Sequence, residues 1–416
     1  MNNWSFQTKA IHSGISRDSS TGSTTVPIYQ TASFSYPTAD AIADVFNGRK
    51  YGHVYSRISN PTVAALESRL TALENGVGAI ALASGMAAIT AAVETLCQAG
   101  DHIVASSGLF GGTLFLFKEV MARRGITVTF VDLQSTDAIR QAVTDSTKLV
   151  FVEIIGNPKM DVADVRAIAD IAHEFGIPLI VDNTLTTAYC LDAKSLGADI
   201  VVNCLGKFVA GNGNAIGGAI IDLGNFNWAT CKSALVADLS PKFGKFAFIA
   251  AARKYSVTNT GACMAPMNAF LFLIGIESLG IRVQRHCENA LQLASFLSDH
   301  PRQLEVRFPG LPSHPQAPLV SQQFGGLGGA LLTIRVGSKD AAFRLLGQLK
   351  LVSNAANLGD AKTLAIHMAS TIYKDFSAEE QESGGVYSDL IRVSVGIEDI
   401  RDIIEDFRVA LDSLDS

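Results

Sequence analysis

The sequence has no long apolar run. Its most hydrophobic stretch, residues 267–276, is interrupted by Asn268 and stopped by Glu277. That is too short to span a bilayer and suits a buried helix. The opening residues, MNNWSFQTKA, contain no apolar segment of the kind a secretion signal needs. Positive charge is not in excess: 33 Lys+Arg against 39 Asp+Glu give a net charge of −6, which offers no support for nucleic-acid binding. Neither a membrane nor a nucleic acid is therefore expected as a partner. Six cysteines (Cys97, Cys190, Cys204, Cys231, Cys263 and Cys287) are scattered without metal-type spacing. They read as reduced thiols of a cytoplasmic protein, and no metal site is expected. There is no internal repeat, and the one Gly-rich segment away from Lys207, residues 325–329, reads as a loop.

What is present is the composition of a globular protein, 416 residues with 48% hydrophobic and 17% charged. That length suggests two or three domains. Residues 1–60 are rich in Ser, Thr and Tyr, lack a sustained period and read as an arm, disordered or laid across another subunit. Asn60 and Pro61 then suit the cap and first position of a helix, with Ala64, Ala65, Leu66, Leu70 and Leu73 near helical spacing. From Val77 strand-like and helix-like stretches alternate. VGAIALA, HIVASS, TVTFVD, KLVFVEII, PLIVDN, DIVVN and AIGGAIID are the strands, and helices are expected near residues 85–97, 115–124, 137–143 and 163–175. This rhythm implies an α/β domain over residues 61–260, with a mostly parallel sheet covered on both faces. Beyond it, long helices over 265–279 and 281–298 precede GALLTIRV, a helix over 339–349, LIRVSVG and a helix from Glu398. These suggest a smaller α+β domain over residues 261–416.

Two residues stand out within 178–218. Asp182 ends the strand PLIVD, and Lys207 follows DIVVN by a few residues, ahead of a turn rich in Gly and Asn. Singly, such a lysine is usually a solvated loop residue and such an aspartate a turn or cap residue. At the C-terminal ends of two strands of one α/β sheet they would face a common crevice. Pyridoxal phosphate chemistry needs that pair: a lysine to form a Schiff base and a carboxylate to keep the pyridine nitrogen protonated.

The chain resembles the Cys/Met-metabolism, or trans-sulfuration, family of pyridoxal-phosphate enzymes. The resemblance rests on YSRISNPT (55–62), ASGMAA (83–88), GNP (156–158), VDNT (181–184), the block around Lys207, QRHCENA (284–290) and RVSVGIED (392–399). Within the family it looks most like the O-acetylhomoserine sulfhydrylases, through NLGDAKTLAIH (357–367) and GNPKMDVADVRAIADIAHEFGIPLIVDNT. The resemblance implies the aminotransferase-like fold, fold type I, with pyridoxal 5'-phosphate as cofactor and a small amino acid as substrate. It implies that Lys207 is the Schiff-base lysine and proton carrier, and that Asp182 is the partner of the ring nitrogen. Gly85 and Met86 become N–H donors to the phosphate at a helix N-terminus. Tyr55 and Arg57 become residues that reach the phosphate of a neighbouring subunit, so that an obligate dimer, commonly paired into a tetramer, is expected. Asn157 lies near the ring hydroxyl, and Arg392 and Asn357 contact the substrate carboxylate.

The departures from the family pattern cluster at the cofactor. Hydroxyl residues usual three before and one before the lysine are Cys204 and Gly206 here. The stacking tyrosine of a YGG-type motif is Phe110, HPASTTH reads HMASTIY with Met368 and Tyr373, and GHG reads Gly211-Asn212-Gly213. The expected reaction is γ-replacement: O-acetylhomoserine with sulfide or a thiol gives homocysteine or methionine and acetate. A sulfur-carrier protein is a further candidate donor. The rivals are a lyase acting on methionine or cystathionine, and a cofactor-binding homologue without turnover.

Overall fold

Alternating residues of one set of strands are sorted into two separate cores. Ala79, Ala81, Val104, Val150, Val152, Val181 and Val201 belong to one cluster, and Ile80, Leu82, Ile103, Phe151, Ile180 and Val202 to the other. Successive side chains of a strand point to opposite faces, so a sheet covered on both sides needs apolar residues at every position. In the computed structural model, which describes residues 4–14, 21–133 and 136–415, these strands are β1 (Gly78–Leu82), β2 (His102–Ser106), β3 (Thr127–Val131), β4 (Thr147–Glu153), β5 (Leu179–Asp182), β6 (Ile200–Asn203) and β7 (Gly218–Asp222). They form one sheet in the order β1-β7-β6-β5-β4-β2-β3. Five neighbours from β6 to β3 run parallel, and β7 is antiparallel to both β1 and β6. The expected mostly parallel α/β sheet is therefore present.

A second sheet has the order β10-β11-β12-β9-β8, made of β8 (Glu305–Arg307), β9 (Leu331–Arg335), β10 (Ser353–Asn354), β11 (Leu364–His367) and β12 (Leu390–Ser394). It is antiparallel except for β10 with β11. The helices Lys339–Gln348 and Ile400–Asp412 cover it, burying Leu345, Phe407 and Leu411 against Leu332, Ile334 and Val393.

Several elements differ from the sequence expectation. The arm contains two short helices, α1 (Phe6–His12) and α2 (Ala39–Phe46), with Thr38 Oγ1 capping the second at Ala41 N. α1 buries only Ala10 and α2 no residue. α2 does carry an apolar face, with Ala39, Ile42, Val45 and Phe46 at helical spacing, but its eight residues are too few to stand out from the Ser- and Thr-rich arm. Residues 1–3 and 15–20 of the arm lie outside the described residues. The helix α3 (Pro61–Leu73) is capped by Asn60, whose side chain accepts from Thr62 N. The helix expected over 115–124 begins earlier, at Gly111–Phe115, and continues as a π-helical turn over Leu116–Met121. The last helix starts at Ile400, where Asp399 caps it, instead of at Glu398.

Among the described residues no single helix is long and apolar enough to cross a membrane. The bent pair Pro266–Glu277 and Leu279–Ser298, at 64°, meets the length and composition together. Its apolar residues Ala269, Phe272, Ile276 and Val283 are core residues of the first sheet.

Phe151 in β4 is fully buried and meets Phe117 edge-on at 5.1 Å. Phe151→Ala is expected to cost about 3–5 kcal/mol, seen as a clear fall in the denaturation midpoint. A midpoint equal to wild type would contradict this account of the core.

Candidate active site

A cavity of about 640 Å³ lies where the C-terminal ends of β4, β5 and β6 meet β12. Its lining includes Glu153, Asp182, Lys207 and Arg392, each delivered by an element just described. Asp182 is the last residue of β5, and its Oδ1 accepts the Thr184 N–H at 2.9 Å. Thr184 Oγ1 in turn accepts the Cys204 N–H at 2.8 Å, which ties the exit of β5 to the exit of β6. Lys207 sits in the tight turn that follows, closed by Lys207 N donating to Cys204 O and Gly211 N to Lys207 O. From outside, the buried Arg282 holds this turn, with Nη1 donating to Phe208 O at 2.7 Å and Nη2 to Val209 O at 3.2 Å. Gly359 packs against the same turn. It has φ of +69°, and a Cβ there would lie 2.6 Å from Phe208 N, so a side chain would push the turn away.

The second wall is the N-terminus of α4 (Gly85–Leu96). Ser84 caps it, with Oγ accepting from Ala87 N at 3.1 Å. The first N–H groups of a helix have no intrahelical acceptor, which leaves those of Gly85 and Met86 at the cavity wall. Gly85 is required by closeness: a Cβ there would stand 2.8 Å from Cys204 Cβ and 3.0 Å from its Sγ.

The third wall carries Arg392, at 2% exposure in the middle of the second sheet. Its Nη1 donates to Asn157 Oδ1 at 3.2 Å and its Nη2 to Asn357 O at 3.0 Å. Its Nε is buried without a hydrogen-bond partner, so donor capacity of the guanidinium remains unused. Asn357 also meets the lysine, with Lys207 Nζ donating to Oδ1 at 2.6 Å. Phe110 lines the opposite side, its N–H donating to Glu153 Oε1 at 2.7 Å.

Burial dominates the electrostatics. It lowers the pKa of the Lys207 amine, Cys204 opposes this, and Arg392 adds to it. It raises Asp182 to about 6, against two hydrogen bonds from Thr184. It drives Glu153 well above the carboxylate range, with the charge of Asp182 adding to the effect. It lowers Arg392 to about 10 and raises the Cys204 thiol, the latter opposed by Lys207.

The structure thus brings together Lys207, Asp182, Gly85, Met86, Phe110, Asn157, Cys204, Gly206, Asn357 and Arg392. Tyr55 and Arg57 do not line this cavity. Tyr55 is exposed, and Arg57 stands 5.4 Å over its ring with Nη1 donating to Thr258 O. Sequence reading passed over Glu153, Thr184 and Arg282. Glu153 ends KLVFVE as Asp182 ends PLIVD, which was a usable signal. Arg282 had none, because its partners Phe208 and Val209, directly after Lys207, lie 74 and 73 residues away along the chain. The groups present suit a phosphorylated pyridine aldehyde. N–H groups at a helix N-terminus could take the phosphate, an amine of lowered pKa could take the aldehyde, and a desolvated carboxyl could pair with a cationic ring nitrogen.

A family model for Cys/Met metabolism PLP-dependent enzymes matches residues 7–412. An O-acetyl-L-homoserine sulfhydrylase of Thermus thermophilus is 41% identical, over 98% of this chain and 99% of its own length. An L-methionine gamma-lyase of Pseudomonas putida is 36% identical, over 98% of this chain and 97% of its own. Among solved structures, a Campylobacter jejuni protein described as a putative O-acetylhomoserine (thiol)-lyase superposes with a TM-score of 0.93 at 33% identity, covering 98% of this chain and 100% of the other. That structure contains pyridoxyl-lysine-monophosphate.

Asp182 also sets a pH dependence. Its pKa rises on folding from 3.8 to about 6, so the folded state binds this proton more tightly than the unfolded chain. The group is neutral in its effect below about pH 4 and destabilises the cofactor-free protein increasingly from about pH 4 to about pH 6. Asp182→Asn should therefore raise the melting temperature of the stripped protein at pH 7.5 and give no gain at pH 4. An equal gain at both pH values would rule out burial of the charge as the cause.

Proposed function

The chain belongs to the Cys/Met metabolism family of pyridoxal-phosphate-dependent enzymes, and within it we propose a transferase that converts O-acetylhomoserine and sulfide, or a small thiol, into homocysteine, or its thioether, and acetate. One observation carries the reading most: Asn357 accepts from Lys207 Nζ through its side chain and from Arg392 Nη2 through its carbonyl. A reactive amine and a carboxylate-binding guanidinium are thereby held on one residue, as an α-amino acid substrate requires. The relatives named for this reaction at about full length support the same choice.

Bound, the cofactor supplies an electron sink for negative charge developing at the substrate α carbon. Lys207, Asp182, Gly85, Met86 and Phe110 are the residues assigned to hold it. Arg392, with its unused Nε and the Asn157 and Asn357 contacts fixing its plane, grips the substrate carboxylate. Lys207 Nζ, kept basic but less cationic by burial, would take the proton from Cα, hand it on and so return to the free base, and then take one from Cβ. Acetate would leave Cγ with its bonding electron pair, sulfide would add at Cγ in its place, and protons would be returned to Cβ and Cα to complete the product. Acetate needs little help from an acid, which suits Phe110 at a place where a phenol would otherwise supply a proton. A lyase expelling a thiolate from methionine needs that help more, and the 36% identity to a methionine gamma-lyase makes it the second reading.

We further propose assembly into at least a dimer in which Tyr55 and Arg57 serve the neighbouring subunit's phosphate site, since neither reaches its own cavity. A cytoplasmic location belongs to the same proposal, and a sulfur-carrier protein is the alternative donor to sulfide or a thiol. Product analysis separates the readings. Acetate and homocysteine from O-acetylhomoserine plus sulfide support γ-replacement, whereas 2-oxobutyrate and methanethiol from methionine with no turnover of the ester overturn it. Replacing Cys204 by Ser should tighten cofactor binding about tenfold, because a hydroxyl beside the α4 N-terminus adds a hydrogen bond to a charged phosphate. Unchanged binding would show that backbone groups already satisfy the anion.

A further inference from the structure

Tyr373, fully buried, stands outside the cavity lining yet touches two of the loops that form it. Its Oη lies 2.9 Å from Leu109 O and 3.0 Å from Asn157 O. Leu109 immediately precedes Phe110, whose own N–H is held by Glu153 at 2.7 Å. Asn157 presents its side-chain oxygen to Arg392 Nη1. The phenol is itself fixed from behind. Tyr373 N donates to Met368 O, Gln381 Nε2 donates to Tyr373 O at 2.9 Å, and its ring meets Phe376 at 5.3 Å. One hydroxyl therefore joins the loop that carries the stacking ring to the loop that orients the guanidinium.

We propose that Tyr373 is a positioning residue that sets Phe110 against the cofactor and Asn157 against Arg392 together, through the two carbonyls its hydroxyl bridges. The inference rests on the assignment of Phe110 and Arg392 to cofactor and substrate. With the hydroxyl gone, Leu109 and Asn157 lose a shared anchor and the two loops move independently. The ring then stacks less firmly and the guanidinium loses one of the contacts that fix its plane. The chemistry at Lys207 is untouched, because neither loop bonds to it among the described residues.

The test compares Tyr373→Phe with Thr371→Val. Thr371 Oγ1 donates to His367 O at 2.7 Å in the same segment but reaches neither loop, so its loss reports a purely structural effect. Pyridoxal 5'-phosphate is titrated into each stripped protein, and KM and kcat for O-acetylhomoserine are measured on the loaded enzymes. Tyr373→Phe is expected to weaken cofactor binding about fivefold and to raise KM by a similar factor, with kcat changed less than about twofold. It should also diminish the visible circular dichroism of the bound cofactor. Thr371→Val should resemble wild type in all of these. If Tyr373→Phe moves cofactor affinity and KM no more than Thr371→Val does, the proposal is overturned. Should the Phe variant fail to fold, Tyr373→His, whose ring is too short to bridge both carbonyls, is expected to shift both quantities in the same direction, and wild-type values there would equally overturn it. A wild-type enzyme that ignores O-acetylhomoserine would refute the reaction assigned above, while the cofactor titration would still decide the role of Tyr373.

Discussion

Burial of Lys207 beside Arg392 sets what this cavity can do. Loss of hydration is what chiefly lowers the pKa of the Lys207 amine, with the Cys204 thiol opposing and the Arg392 charge adding to it. The amine is thereby brought closer to the free base that the proposed role requires, and the Arg392 guanidinium, lowered to about 10, remains a cation able to meet a carboxylate. Asn357 makes the arrangement tolerable by accepting from both, at 2.6 Å from Nζ and 3.0 Å from Nη2. Asp182 and Glu153 sit on adjacent strands in register. Burial pushes both carboxyls toward their neutral forms, Glu153 well above the carboxylate range and Asp182 to about 6, so the charge that Asp182 carries at neutral pH is a costly one that a cationic ligand would relieve.

The rest of the architecture delivers these groups. A parallel sheet covered on both faces puts the ends of β4, β5 and β6 at one edge, and each end carries a polar residue that the buried interior of a strand does not tolerate. Arg392 arrives from a separate antiparallel sheet, where β12 is central between β11 and β9. The turn bearing Lys207 is held between Gly359 on one side and Arg282 on the other, so the position of the amine is a property of packing well away from the reacting atoms.

This division explains what sequence reading recovered. Strands of the first sheet were legible because two-sided burial writes a continuous apolar run, and Asp182 and Lys207 were legible because they end or follow such runs. β11 was harder, since LAIH is only four residues long, and β10 has two exposed residues with no pattern to detect. α2 has an apolar face, but one of only eight residues, too short a stretch for its period to be separated from the surrounding arm. The bonds from Arg392 to Asn157 and from Tyr373 to Asn157 span 235 and 216 residues. No local rule of period or spacing sees them. Tyr373 could be noticed only as a departure from a family pattern, and its partners emerged from the fold.

The central claim is that Lys207 in this desolvated cavity carries a cofactor that answers to an acylated homoserine, and its most direct test is the visible absorption spectrum of the purified protein before and after addition of O-acetylhomoserine without sulfide. The account predicts a yellow band that changes on adding the ester, returns when sulfide is supplied, and is missing from Lys207→Ala. A protein that remains colourless with pyridoxal 5'-phosphate, or a band that ignores the ester and responds to methionine, would contradict it.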